Sequence, residues 1–243
     1  MDRRQFLQAS AGSLVLSSCL PKIVSAFADE PKSAALIQTL PKDGTWSEFQ
    51  VIAKVGGREI ALTWAVRSVG QAVHGGKQCR FIEMERSDPQ GEVKNGAWRL
   101  LVPEEEFGEG KDPLSKAVKH WLKNGTDDAE AAESVLLKDP FLAVVLSGPK
   151  QNLKAEEAKE KISWQQGDLE CSVISGRTEL DVGVAKFSGM YRVFRHKDVP
   201  FGFTGTHLDL TFNAGGQMET ANIKMTLRDH GKDAKAKLPE LLP

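Results

Sequence analysis

The stretch TWSEFQVIAKVGGREIALTWAVRSV, residues 45–69, constrains the fold more than any other part of the chain. Phe49, Val51, Ala53 and Val55 alternate with Gln50 and Lys54, and Ile60, Leu62, Trp64 and Val66 alternate with Glu59, Thr63 and Arg67. A period of two sends successive side chains to opposite faces of a strand, so each segment has one dry face and one wet face. Gly56-Gly57 between them supplies the positive φ values that a two-residue hairpin loop needs. The segment is therefore an antiparallel hairpin that must bury one face.

The same grammar recurs. His74-Gly75-Gly76 turns the chain into a third strand over Lys77–Arg86, and NGAWRLLVP after it reads as a fourth. Leu169–Ile174 pairs with Arg177–Val182 across Ser175-Gly176. KFSGMYRVFRHK is a further strand, and THLDLTFNAGGQMETANIKMTL is a closing hairpin around Gly215-Gly216. Between the two groups the pattern changes. Asp112 and Pro113 suit a helix start, and Leu114, Ala117, Val118, Trp121 and Leu122 recur at helical spacing up to Gly125. Ala129–Leu137 reads as a short second helix, and Asp139-Pro140 opens an apolar run, Phe141–Leu146, read as a third; NLKAEEAKEKIS is a charged surface segment. The fold class that follows is mainly β (α+β). It is one large curved antiparallel sheet of about nine strands, with a central helical insert over residues 112–160 packed on its apolar face.

The first 28 residues have the layout of an export signal: Arg3-Arg4, the apolar run ASAGSLVLSSCL, and small residues around Ala26-Phe27-Ala28. The run is shorter than the about 20 apolar residues that span a bilayer. Arg3-Arg4-Gln5-Phe6-Leu7 resembles the twin-arginine class of bacterial signal, with Asp2 and Gln8 departing from its usual flanks. Leu16-Ser17-Ser18-Cys19 resembles the lipoprotein box, which would lipidate Cys19 and anchor the chain to a membrane. Cleavage after Ala28 and cleavage before Cys19 both remain open, and both imply an exported protein of the periplasm or cell envelope. The expected organisation is a signal over 1–28, a flexible linker over 29–43, one β domain over 44–231, and a C-terminal tail over 232–243.

The chain carries a net charge of −1, and loss of residues 1–28 removes three cations and one anion. With no basic cluster interleaved with aromatic residues, nothing marks a nucleic-acid partner. Beyond the signal lie Cys79 and Cys171, which in an oxidising compartment form either a disulfide or two buried free thiols. The five histidines lack metal-ligand spacing, and no nucleophile elbow or phosphate loop occurs, so no catalytic residue, metal or cofactor is assigned. His207 and Asp209 share a strand face and are the one suggestive pair. Glu104-Glu105-Glu106 reads as a solvated acidic turn. Trp46 and Trp164 fall outside the dry faces and line either a groove or the sheet edge.

VPFGFTGTHLDLTF, residues 199–212, resembles bacterial lipoprotein-carrier proteins, in which a similar turn leads into a late strand of a half-barrel. That resemblance implies an apolar pocket between curved sheet and covering helices, with Trp64, Trp121 and Phe141 as its lining. The GTW start of the first strand and the GKDA tail are also similar to uncharacterised exported proteins of planctomycete-like bacteria. The expected function is a non-enzymatic exported binding or scaffold protein holding an apolar or lipid-like ligand between sheet and helices. The alternative is an envelope-polymer hydrolase using carboxylates or the His207/Asp209 pair.

Overall fold

The computed structural model describes residues 34–88, 96–124, 129–132, 140–181, 186–214 and 217–238. Its strands are β1 (Trp46–Val55), β2 (Arg58–His74), β3 (Lys77–Ser87), β4 (Gly96–Pro103), β5 (Lys119–Asn124) and β6 (Glu130–Ala132), then β7 (Gln151–Ala155), β8 (Glu160–Trp164), β9 (Gly167–Asp181), β10 (Lys186–Arg195), β11 (Gly205–Ala214) and β12 (Gln217–Gly231). Among the described residues one α-helix, α1 (Pro140–Ser147), lies between the two groups. All twelve strands belong to one large, open antiparallel array in the order β6-β5-β4-β3-β2-β1-β12-β11-β10-β9-β7, with β8 paired to β9 beside this path. Two meanders are thus joined where the first strand meets the last: Val51 pairs with Met225 and Ala53 with Ile223.

The alternation read from β1 and β2 sets the inner face. Phe49, Val51, Leu62, Trp64 and Val66 are buried there, in one cluster with Trp98 and Leu100 of β4, Tyr191 and Val193 of β10, and Leu208 and Ile223 of the last hairpin. Strands as far apart in the order as β4 and β10 share this cluster, so the sheet curls around it. Three further pieces fill the centre: Leu36 and Ile37, Val144–Leu146 of α1, and the Val199–Phe203 turn. Phe49 and Phe203 meet with ring centroids 5.0 Å apart. Part of the segment read as a linker is therefore core, with Leu36 1% and Ile37 2% exposed.

Among the described residues of 112–160 the expected helical insert is not formed. Pro113–Lys116 makes a single 3-10 turn, ended by Ala117 in an extended conformation. Residues 119–124 are β5, and 151–155 and 160–164 are β7 and β8. The apolar spacing from Leu114 to Leu122 is compatible with a helix. However, β4 needs a partner for its outer backbone groups, and β5 supplies it by pairing Trp98 with Leu122 and Arg99 with Trp121. Adjacent Trp121 and Leu122 then bury on opposite faces, whereas Val118, assigned to the helix's apolar side, is 42% exposed. Ala129–Leu137 is β6 where it is described. Among the described residues only the run from Pro140 forms an α-helix: α1 spans Pro140–Ser147 and is followed by Gly148, which has φ +61.

The hairpin expected across Ser175-Gly176 is also absent, because β9 runs unbroken through both residues. Gly176 serves close packing instead: a Cβ there would lie 2.8 Å from Pro149 Cβ and 2.9 Å from Leu153 Cδ2. The Gly215-Gly216 turn lies outside the described residues.

Candidate binding cleft

The space under the sheet is already occupied. Trp64, Leu36, Ile37, Phe49, Val66, Leu146, Phe203 and Met225 surround a void of ≈ 10 Å³, about the room for one water molecule. The expected lining residues do not converge on it. Trp64 is core, Trp121 packs on the outer face with Cys79 and Leu101, and the Phe141 side chain lies outside the described residues.

Segment 34–40 is gripped along its length. Arg195 Nη2 donates to the Ala35 carbonyl, Gly108 N donates to Gln38 O at 2.8 Å, and a Cβ on Gly202 would sit 2.5 Å from Thr39 Oγ1. Tyr191 O–H donates to Val144 O at 2.6 Å and ties α1 to the sheet. Burial pushes this hydroxyl well above its ordinary pKa. Where the segment leaves the core it forms one wall of an open cleft of ≈ 590 Å³, completed by the 104–109 turn, Ser172 and Ile174 in the middle of β9, and the end of β10.

Leu40, Phe107 and Ile174 give this cleft an apolar side; Arg195 and Lys197 give it a cationic one, with His196 between them in sequence. Arg195 follows Tyr191 and Val193 at period two, so the alternation that buries them turns a guanidinium inward at the strand end. Its Nε is buried and has no hydrogen-bond partner among the described residues. Burial pulls the guanidinium down to about 10, with Glu109 partly opposing, so it stays charged at neutral pH. Glu104, on the same rim, is engaged by Arg80 Nη2 at 2.8 Å and by Gln71 Nε2 at 2.9 Å. A carboxylate or phosphate oxygen placed against Arg195 Nε would satisfy a buried donor that otherwise carries a desolvation cost. The sequence signal for this residue is an arginine in phase with Tyr191 and Val193 in KFSGMYRVFRHK.

A larger depression of ≈ 870 Å³ crosses the outer face of β10–β12. Its polar groups bond one another: Asn222 Nδ2 donates to Asp209 at 2.6 Å, and Arg177 donates to Ser188 at 3.0 Å. The His207/Asp209 pair makes no joint site. His207 lies edge-on to Phe194 at 4.8 Å, while Asp209 is held by Asn222. Burial and the nearby Lys224 lower the His207 pKa. Glu156 and Glu160 both bind Arg192, at 2.8 Å each, so they do not form an acid–base couple. Among the described residues no group of three or more His, Cys, Asp or Glu side chains could hold a metal ion.

Of the acidic run, Glu105 reaches Lys77 at 2.5 Å, while Glu104 is turned in towards Arg80. Trp164 stacks on His230 with centroids 4.7 Å apart, and Trp46 Nε1 donates to Lys232 O, so both cover the sheet rather than line a groove. The bridge considered between Cys79 and Cys171 is not formed. Both thiols are free and buried, in separate clusters on the two halves of the sheet, and burial raises both pKa values. Cys19 and the leader lie outside the described residues.

No protein-family model matches the chain, and no curated protein matches it. Among solved structures, it is similar to a Bacteroides fragilis protein described as exported with a YmcC-like fold. The identity is 9% and the TM-score 0.39, over 82% of this chain and 100% of the other. A Parabacteroides distasonis protein described as a lipoprotein gives 7% identity and a TM-score of 0.37 over the same shares. The likeness is weak.

Proposed function

We propose that this is an exported, non-enzymatic binding protein whose ligand sits in the open cleft beside Arg195. The ligand is amphipathic, with a carboxylate or phosphate head and an apolar body. The observation that carries this is the buried Arg195 Nε, without a hydrogen-bond partner among the described residues, in a side chain that lines a ≈ 590 Å³ cleft together with Leu40, Phe107 and Ile174. Cavities of this size, mostly apolar with a few convergent polar groups, suit small ligands. The twin-arginine-like leader supports export, and Cys19 would anchor the chain if lipidated. The filled interior weighs against a lipid held under the sheet, and the engagement of Asp209 by Asn222 weighs against a hydrolase that uses the His207/Asp209 pair.

Titration calorimetry with dodecyl phosphate, dodecanoate and dodecanol tests the reading. Both anions should bind, and dodecanol should bind at least tenfold more weakly, since a hydrogen bond to a charged group contributes about 1.5–3 kcal/mol. Arg195→Gln should erase the difference. Equal binding of dodecanol, or no binding of either anion, would overturn the proposal.

A further inference from the structure

Arg195 presents a half-filled fork. In a guanidinium the Nε–H and one Nη2–H point the same way and match the two oxygens of a carboxylate or phosphate. Arginines elsewhere in this chain use that edge on a glutamate. Arg192 holds Glu156 Oε1 through Nε at 3.0 Å and Oε2 through Nη2 at 2.8 Å. Arg80 reaches Glu104 Oε1 through Nε at 3.1 Å and Nη2 at 2.8 Å, and Arg99 reaches Glu83 Oε1 through the same two nitrogens. On Arg195 the Nη2 position goes to the Ala35 carbonyl, and Nε has no hydrogen-bond partner among the described residues.

That edge is closed to solvent. Arg195 Nε is buried, so an oxygen can reach it only when a neighbouring atom gives way. The oxygen already on the edge belongs to the strap, residues 34–40, which is held unevenly. Its middle is anchored by Leu36 and Ile37, both buried in the core, and by Gly108 N, which donates to Gln38 O at 2.8 Å. Ala34 and Ala35 bury only methyl groups, so much less apolar area ties them down. Ala34 is also crowded: a Cβ on Gly148 would lie 2.6 Å from its carbonyl oxygen. The end of the strap nearest Arg195 is therefore the easiest part to move.

We infer that the strap is a latch worked by the ligand. An anion that takes Arg195 side-on displaces the Ala35 carbonyl from Nη2, and Ala34 and Ala35 move off while Leu36 and Ile37 stay seated. The inference rests on the cleft reading above and adds the regulation of that site. Two charge-assisted hydrogen bonds replace one bond to a neutral carbonyl, and the buried Nε gains a partner. In chain order Ala34 follows directly on residues 1–33, which hold the leader sequence and Cys19. Filling the cleft thus frees the point at which that segment joins the folded body.

The test uses the full chain with dodecyl phosphate as probe. Alanine labelled with carbonyl carbon-13 and leucine labelled with nitrogen-15 together report the Ala-Leu pairs, Ala35-Leu36 and Ala61-Leu62. At saturation the Ala35 carbonyl carbon should move upfield, as a carbonyl does on losing a hydrogen bond, while that of Ala61 in β2 stays fixed. Coupling is reciprocal, so loosening the strap from outside the cleft should tighten binding. Gly148 is not part of the cleft wall, and Gly148→Ala pushes on Ala34. By calorimetry that variant should bind the probe about fivefold more tightly or better. Where Gly148→Ala does not fold, the carbonyl shift decides alone. Binding that leaves the Ala35 carbonyl in place, or an affinity that Gly148→Ala does not raise, would overturn the latch and leave the cleft ligand standing. No binding of the probe would overturn both.

Discussion

Arg195 donates through Nη2 to the carbonyl oxygen of Ala35, a residue 160 positions earlier in the chain. The contact joins the end of β10 to the segment that enters the core; Arg195 also lines the cleft, and its buried Nε has no hydrogen-bond partner among the described residues. The occupied interior and the open cleft therefore share one residue.

If residues 34–37 are core, removing their side chains should cost as much as an excision from a strand. Leu36→Ala and Ile37→Ala should each destabilise by about 2–5 kcal/mol, the usual range for such truncations. Leu40→Ala, at 38% exposure, should cost well under half as much. Urea unfolding of the three variants measures this; equal small losses would mean that the segment is not packed.

Gly148 combines two constraints. Its φ is +61, and a Cβ would lie 2.6 Å from the Ala34 carbonyl oxygen. Gly56 has φ +55 and open space around the same position. Gly56→Ala should cost about 1–2 kcal/mol for the left-handed backbone alone, and Gly148→Ala clearly more, because the Ala34 strap must shift. Thermal unfolding separates the two.

The pKa values of His120, His207 and His230 are all lowered, in each case chiefly by burial. Around His207, Lys224 and Arg192 push the same way while Glu160 and Asp209 oppose. With folded values below the unfolded ones, the unfolded chain binds more protons as pH drops below about 6.5, so stability is full above that pH and declines beneath it. The urea midpoint should fall between pH 7.5 and 5.5, and His207→Gln should make that fall smaller. A midpoint that is flat or rises on acidification would contradict this.

Cys79 and Cys171 are 1% and 0% exposed, and burial disfavours their thiolates. A chain lacking residues 1–28 should react with a thiol reagent at pH 8 only after unfolding, and then at both cysteines without prior reduction. Reaction requiring a reductant would point to a bridge.

Much of the sheet was legible because its strands bury one face only. β1, β2, β11 and β12 carry that alternation plainly, and the order of the meanders followed from their turns. β5 was misread because Trp121 and Leu122 bury on opposite faces, which erases the period of two and leaves a helix-like spacing. Ser175-Gly176 looked like a turn because glycine serves tight packing as well as tight turns. Arg195 was hidden for a related reason: its burial depends on a contact with Ala35, 160 positions earlier in the chain. Leu36 and Ile37 carried no period at all, and only the curled sheet gives them a place.

The most direct test of where the ligand binds is nitrogen-15 chemical-shift mapping of the full protein titrated with dodecyl phosphate. The account predicts shifts at the Arg195 Nε–H and at the Gly108 and Gly202 amides, with the buried Trp64 indole N–H unchanged. A shift of the Trp64 signal with an unmoved Arg195 Nε–H would place the ligand beneath the sheet and contradict it.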